Sequence, residues 1–209
     1  MQSLPYWPKV HALVIAHKSS IYLLFLMASI VTVVFALVAS LTFQYSRADY
    51  GLMISFGNKL GSFALICYFL TLLPGILKRL DWFPLERSTL MLFRRNFGVL
   101  MFLAAYVHGL IVFLIPMAYT TGFTPEAFSL REQLGMFASV VLFPLWLTSN
   151  SQSVRFLGKW WKVLHRGTYI ALLLIFLHVL FTGELSWKLA GAGMIGLEAW
   201  SWIRALRKS

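Results

Sequence analysis

The chain has 209 residues, of which 59% are hydrophobic and 12% are charged, and its formal net charge is +11. A soluble domain carries about 25% charged residues, so this composition excludes an ordinary soluble enzyme and indicates an integral membrane protein. The single cysteine, Cys67, excludes an internal disulfide, a cysteine-rich zinc site and a CxxCH motif for covalent cofactor attachment.

Six apolar segments approach the roughly 20 residues that a helix needs to span a bilayer. We therefore predict an all-α membrane protein, a six-transmembrane-helix bundle that forms one domain over residues 1–209. The first apolar run continues to Leu41, too long for a cleavable signal peptide, so we expect it to be a retained span. The predicted spans are Ser20–Thr42, Gly61–Leu77, Phe97–Met117, Gln133–Thr148, Gly167–Thr182 and Trp187–Ile203.

The segments between the predicted spans alternate in basicity. Most of the 18 Lys and Arg residues precede the first span, separate the second from the third and the fourth from the fifth, or follow the sixth. The positive-inside rule places these segments, and with them both termini, in the cytoplasm. Membrane orientation thus accounts for the positive charge without a nucleic-acid partner. We expect a multi-pass protein of the bacterial inner membrane, in contact with lipid.

Three histidines, His108, His165 and His178, lie in or at the mouth of the predicted spans. Ionisable side chains at bilayer depth usually mark a site, and a neutral imidazole is a good iron ligand. The alternative is a structural histidine with a polar partner, which the segments around His108 and His178 scarcely offer. His165 lies between Lys162 and Arg166 and, taken alone, is typical of an interfacial residue.

Depth relates the three histidines to one another. His108 follows Arg95 by thirteen residues and His178 follows His165 by thirteen residues, so each lies about 20 Å from the cytoplasmic entry of its span. His108 and His178 are therefore level, although the sequence leaves open whether they face each other. On an ideal helix His165 and His178 point about 140° apart, so a shared ligand-bearing surface needs a distortion near Gly167.

Two runs carry a resemblance to a known family: RRNFGVLMFLAAYVH, and TSNSQSVRFLGKWWKVLHRGTY followed by His178 thirteen residues after His165. They resemble the ferric-reductase-like transmembrane domain, and GNKLGSFALICYFLTLLPGILKRL is similar as well. The resemblance covers about residues 57–182. It is strongest to a short bacterial branch, the haem-binding membrane subunits that serve a periplasmic methionine sulfoxide reductase.

The resemblance implies a b-type haem held by His108 and His178, with His165 as a further candidate ligand nearer the cytoplasm. Two-haem relatives carry two histidines on the third span, whereas this chain has only His108 there. Its predicted cytoplasmic end carries Arg94 and Arg95, and Thr121 lies thirteen residues beyond His108. The sequence leaves open whether a second haem is bound. Arg94 and Arg95 are candidates to bind haem propionates or the phosphate of FMN, or they simply set the topology.

The resemblance further implies electron transfer from the cytoplasmic side to an extracytoplasmic acceptor. The chain has no Gly-rich nucleotide-binding fingerprint, so we expect a separate donor, either a cytoplasmic flavin reductase or membrane quinol. The expected acceptor is an extracytoplasmic reductase subunit such as a molybdopterin-containing methionine sulfoxide reductase, which makes this chain the electron-transfer subunit of an oxidoreductase. The alternatives are a free-standing ferric reductase and, in a different class, a non-redox transporter or scaffold with structural histidines.

Two secondary features complete the predictions. Glu198 lies in the sixth predicted span, about two turns from its cytoplasmic end, and we expect it to reach solvent or to pair with Arg204. The aromatic residues Phe97, Phe102 and Tyr106 of the third span are expected to pack the bundle.

Overall fold

The computed structural model describes residues 4–45, 50–119 and 128–207, and the regular structure within these ranges is entirely helical. A π-helical segment, Leu110–Leu114, separates α4 from α5. The helices are α1 Trp7–Ala16, α2 Lys18–Tyr45, α3 Tyr50–Leu80, α4 Pro84–Gly109, α5 Ile115–Tyr119, α6 Leu130–Leu147, α7 Ser151–Leu157, α8 Lys159–His165, α9 Gly167–Thr182 and α10 Leu185–Leu206.

Several of these helices are long and apolar enough to cross a membrane, as expected for a multi-pass membrane protein. Four stretches qualify alone: Lys18–Gln44, Tyr50–Leu80, Pro84–Tyr119 and Lys159–Thr182. A fifth qualifies only as the pair α6 and α7, which is bent by 91° at the break between them. The sixth predicted span lies within α10, which is not among the stretches that qualify. Its polar residues, such as Glu198, Ser201 and Arg204, lower its mean hydropathy. The six-span count and the cytoplasmic location of both termini therefore remain predictions.

The helices pack mainly as two pairs, α3 with α4 and α6 with α9, and α4 joins the pairs through α6. Lipid is as apolar as the helix surfaces, so close backbone approach and interhelical hydrogen bonds stabilise such bundles. Gly57 allows one close approach, since a Cβ there would lie 2.9 Å from Val112. The hydroxyl of Tyr68 adds a hydrogen bond from α3 to the carbonyl of Thr168 on α9.

The third span begins earlier than its apolar run predicts. Pro84 and Glu86 occupy the first turn of α4, where proline and an acidic side chain are favoured. The helix therefore starts about three turns before Arg95. The prediction that Arg94 and Arg95 lie at the cytoplasmic end of the helix is wrong, because the helix continues past the apolar region through a polar, amphipathic stretch.

The helix that carries His108 changes its winding two residues later. Leu110–Leu114 is π-helical, with one more residue per turn than an α-helix. The Tyr50 hydroxyl donates to the carbonyl of Ile111 inside this segment at 2.8 Å. Val107, Ile111 and Ile115 pack there with residues of α2 and α3 in a buried cluster. The change of winding lies directly beside His108. Thr121 lies outside the described residues.

A buried ion pair attaches α10 to α3. Arg79, in the last turn of α3, pairs with Glu198 of α10, and its Nε donates to the Ser201 hydroxyl at 2.8 Å. The Trp202 indole donates to the same carboxylate at 3.1 Å. Glu198 is only 6% exposed. The expectation that Glu198 reaches solvent or pairs with Arg204 is thus wrong, because the tight contact between α3 and α10 places Arg79 next to it.

Candidate functional site

His108 and His178 face each other across the bundle. Their ring centres are 6.5 Å apart and the ring planes are inclined by 76°. His108 lies in the last turn of α4 and His178 in α9. These helices belong to different packed pairs, so the two imidazoles meet between the pairs. The sequence predicts their common height, and the structure adds that the rings point at one another.

Backbone carbonyls fix the orientation of both imidazoles. Nδ1 of His108 is 2.9 Å from the carbonyl oxygen of Gly57, and Nδ1 of His178 is 2.9 Å from that of Arg131. A carbonyl can only accept, so each Nδ1 carries the proton and each Nε2 keeps its lone pair. Within the described residues neither Nε2 makes a hydrogen bond. Histidines that bind metals usually have this arrangement, with the second nitrogen donating to a backbone carbonyl or carboxylate.

The separation of the two rings suits one metal ion between them. Metal–imidazole bonds are about 2.0–2.1 Å long, so two rings on opposite sides of one metal have their centres about 6–6.5 Å apart. The observed 6.5 Å agrees with this value. Edge-to-face packing of two rings also allows such a distance. The two Nδ1–H donors and the two free Nε2 lone pairs favour ligation.

Each imidazole lies against a glycine of the neighbouring helix. A Cβ at Gly61 would lie 2.9 Å from Nδ1 of His108, and a Cβ at Gly135 would lie 3.2 Å from Nδ1 and Cε1 of His178. No larger residue fits at Gly61 unless the His108 ring moves. Sequence reasoning missed both glycines. The four-residue spacing of Gly57 and Gly61, typical of close helix pairs, could have indicated the first.

The site offers two protein ligands, and this number limits the metal that it can hold. Among the described residues no group of three or more His, Cys, Asp and Glu side chains could hold a metal ion. A bare transition-metal ion needs more donors than two imidazoles supply. The iron of a haem would need only two further ligands from the protein. His108 and His178 therefore fit a haem.

His165 belongs to a separate location. Its Nε2 is 3.1 Å from the Thr148 hydroxyl, and its ring stacks on Trp161 with centres 4.0 Å apart. Helix α8 ends at His165 and α9 begins at Gly167. The regular helix is therefore interrupted beside Gly167, where a surface shared by His165 and His178 would need a distortion. The structure does not bring His165 to the facing pair of His108 and His178.

Arg94 and Arg95 point in different directions, because neighbouring residues on a helix are rotated by about 100° from one another. Arg94 lies within electrostatic range of His165 and Glu198, and it makes no hydrogen bond or ion pair with another described residue. Arg95 instead lines a groove between α2 and α4. Only Arg94 is thus near a candidate ligand.

Aromatic side chains pack between the two histidine locations. Phe102 of α4 stacks on Trp146 of α6, with ring centres 4.9 Å apart, and on Tyr106, with centres 6.2 Å apart. Phe97 packs edge-on against Phe25 of α2 at 5.0 Å. Phe97 and Phe102 therefore pack α4 against α2 and α6, whereas Tyr106, which is 49% exposed, stacks only on Phe102 of its own helix.

The comparison with known families covers most of these residues. A family model described as "Ferric reductase like transmembrane component" matches residues 60–176. The chain belongs to this family. The ferric-reductase-like region includes Arg94, His108 and His165 and ends two residues before His178.

The chain is also similar to individual curated proteins. The chain is 35% identical over 124 residues to the protein-methionine-sulfoxide reductase heme-binding subunit MsrQ of Brucella ovis, and equally to those of Brucella canis and Brucella abortus. Each match covers 56% of this chain and 52% of the relative, so the chain spans about half the length of the curated relatives that it matches. No solved structure matches the chain.

Proposed function

We propose that this chain is a transmembrane electron-transfer protein that holds one b-type haem between His108 and His178. The observation that carries this proposal is the facing pair of imidazoles, 6.5 Å apart, each with Nδ1 donating to a backbone carbonyl. The family match and the heme-binding name of the Brucella relatives support it independently. Bound haem supplies a reversible one-electron couple.

The chain's own residues orient the ligands and exclude water. The Gly57 and Arg131 carbonyls hold the two rings in the tautomer that presents Nε2, and hydrogen bonds of this kind raise the basicity of a ligand imidazole. Val107 and Ile111, which pack near His108, are buried. Apolar surroundings of this kind lower the local dielectric, which is one of the means by which a protein sets the potential of a haem.

Electrons are proposed to enter on the cytoplasmic side near His165 and leave on the outer side near His108 and His178. Arg94 supports an entry role for the His165 location, because a guanidinium that makes no hydrogen bond or ion pair with another described residue suits a haem propionate or the phosphate of FMN. The donor is proposed to be a cytoplasmic flavin reductase or membrane quinol. A second haem at His165 would have Arg94 in its vicinity where two-haem relatives have a histidine.

The proposed acceptor is an extracytoplasmic methionine sulfoxide reductase subunit, of the molybdopterin class that the resemblance implies. The names of the Brucella relatives motivate this choice, because they describe a subunit of such a reductase. The proposed location is the bacterial inner membrane with both termini in the cytoplasm. A free-standing ferric reductase is the second candidate, and the family description favours it.

The ligand assignment is tested by spectra of the purified protein and of His108→Ala, His178→Ala and His17→Ala. Wild type should show a low-spin b-type spectrum and a pyridine hemochromogen content near one haem per chain. Either ligand variant should lose the haem or convert its spectrum. His17 is the matched control, since its exposed ring bonds the carbonyl of Leu13 in the preceding helical turn and no other described residue. Haem-free wild type from haem-replete cells would favour the non-redox class, and unchanged spectra in both ligand variants would refute the assignment.

The acceptor is tested separately with the reduced protein. Anaerobically reduced wild type is mixed either with a molybdopterin methionine sulfoxide reductase or with a ferric chelate, and haem reoxidation is followed by absorbance. Fast, saturable reoxidation by the reductase alone supports the subunit role. Equally fast reoxidation by the chelate, with none by the reductase, would refute the subunit role and support a free-standing ferric reductase.

A further inference from the structure

A groove between α2 and α4 lies apart from the histidines. Its volume is about 580 Å³. Tyr22 and Ser29 line it from α2, Arg95 and Asn96 line it from α4, and apolar side chains such as Phe25 and Val99 complete it. None of these residues takes part in the proposed electron-transfer site, so the groove needs a separate explanation.

Of the four polar side chains that line the groove, two already bond to carbonyls of the protein and two do not. The Tyr22 hydroxyl is directed at the carbonyl of Leu92 at 3.5 Å, and the Ser29 hydroxyl donates to the carbonyl of Phe25 at 2.9 Å. Arg95 and Asn96 make no side-chain hydrogen bond to another described residue. No carboxylate lines the groove. A guanidinium with five donors and an amide with two therefore remain for a ligand, which must bring negative charge and acceptor oxygens.

The depth of Arg95 limits where such a ligand comes from. The continuous stretch Pro84–Tyr119 has 36 residues and is about 54 Å long, against a hydrocarbon core of about 30 Å. If the core is centred on this stretch, its boundary falls near Leu92, within about one turn of Arg95. The Arg95 side chain can thus reach the phosphate layer of one leaflet. The distribution of basic residues predicts that this leaflet faces the cytoplasm.

We propose that this groove binds the head group of an anionic phospholipid. The Arg95 guanidinium and the Asn96 amide donate to the phosphodiester oxygens, and the acyl chains run along the apolar side chains toward the bilayer centre. Leu26, which also lines the groove, is 56% exposed and continues this apolar surface toward the lipid. Basic pockets between transmembrane helices on the cytoplasmic side bind such head groups. A free phosphate would leave the apolar half of the groove uncovered.

The test measures lipid binding to the haem-loaded, delipidated protein by native mass spectrometry. The probes are phosphatidylglycerol, diacylglycerol with the same acyl chains, a short-chain quinone and inorganic phosphate. Arg95→Gln removes the charge, and Ser29→Phe fills the groove while leaving Arg95 in place. Arg155→Gln is the matched control, because Arg155 is an exposed arginine of α7 that bonds only the carbonyl of Ser151.

One phosphatidylglycerol should bind per wild-type chain, and diacylglycerol should not compete with it. A hydrogen bond to a charged group contributes about 1.5–3 kcal/mol, so Arg95→Gln should weaken binding about ten- to hundredfold. Ser29→Phe should weaken it as well, and Arg155→Gln should leave it unchanged. The haem spectrum should be the same in all four proteins.

Three results would overturn the inference. The first is equal affinity of wild type and Arg95→Gln, and the second is an equal loss in Arg155→Gln, which would indicate a diffuse effect of charge. The third is displacement of the lipid by inorganic phosphate or by the quinone at concentrations similar to that of phosphatidylglycerol. That result would assign the groove to a free anion or to a quinone head group.

Discussion

Replacing Gly61 with alanine tests the proposed haem site without substituting either candidate ligand. An added Cβ would lie 2.9 Å from Nδ1, 3.0 Å from Cε1 and 3.1 Å from Cγ of His108. Carbon atoms in good contact are about 3.5–4.0 Å apart, so the His108 ring must move by about 0.5–1 Å. That movement stretches its hydrogen bond to the Gly57 carbonyl and displaces Nε2 from the line toward His178.

The size of the effect follows from the cost of overpacking. An extra methyl group in a well-packed site costs about 1–3 kcal/mol, which corresponds to about five- to hundredfold weaker haem binding. Helix stability changes in the opposite direction, because alanine is favoured over glycine inside a helix by about 0.5–1 kcal/mol. We therefore expect Gly61→Ala to fold and to insert, and to show lower haem content or a partly high-spin spectrum.

The assay is haem titration of the apoprotein followed by its Soret band, with two further variants for comparison. A Cβ at Gly135 would lie 3.2 Å from the His178 ring, so Gly135→Ala should have a smaller effect of the same kind. Gly109 neighbours His108 in sequence, but its added Cβ would meet no atom of another helix within 4 Å, so Gly109→Ala should bind haem as wild type does. Identical titrations of Gly61→Ala and Gly109→Ala would refute the proposed placement of the His108 ring.

Three further predictions concern other parts of the chain. His165→Ala should keep the low-spin spectrum of the His108 and His178 site but slow its reduction by the cytoplasmic-side donor in stopped-flow measurements; wild-type kinetics would return His165 to a structural role. Reporter fusions after Ser209 and within Ser149–Ser153 should report the cytoplasm, and a fusion near Thr124, which lies outside the described residues, should report the opposite side; an external C-terminus would reverse the proposed direction of electron flow. Glu198→Ala leaves Arg79 buried without a counter-charge and should lower the free energy of unfolding by about 3–5 kcal/mol; a melting temperature equal to that of the exposed-site control Glu184→Ala would show that the pair contributes little.

The sequence predicts that His108 and His178 lie at one level, but it does not predict their surroundings. Depth depends on counting residues along a helix, so His108 and His178 could be placed at one level from spacing alone. Their mutual orientation depends on how two helix pairs pack, which spacing does not contain. The Gly61 and Gly135 contacts are of the same kind, since each joins residues far apart in sequence.

Helix ends and charge partners were harder to predict for a related reason. The start of α4 lies in a polar stretch that hydropathy does not register, and a proline in its first turn was the available signal. Local spacing predicts that Glu198 pairs with the nearest basic residue along its own helix, Arg204. Its actual partner, Arg79, is supplied by α3, so a prediction from local spacing could not find it. The family resemblance, by contrast, rests on local motifs and is confirmed by the match over residues 60–176.

The π-helical turn after Gly109 separates the helix into two parts whose sequences can change independently. Because that turn holds one residue more than an α-helical turn, everything beyond Leu114 is rotated by about 100° relative to an uninterrupted helix. Deleting one residue within Leu110–Leu114 would restore regular winding and turn the outer part to a new face, while His108 stayed in register with Gly57 and Gly61. The part of the helix beyond Leu114 can therefore gain or lose a residue, and present a different surface, without moving His108, the proposed haem ligand.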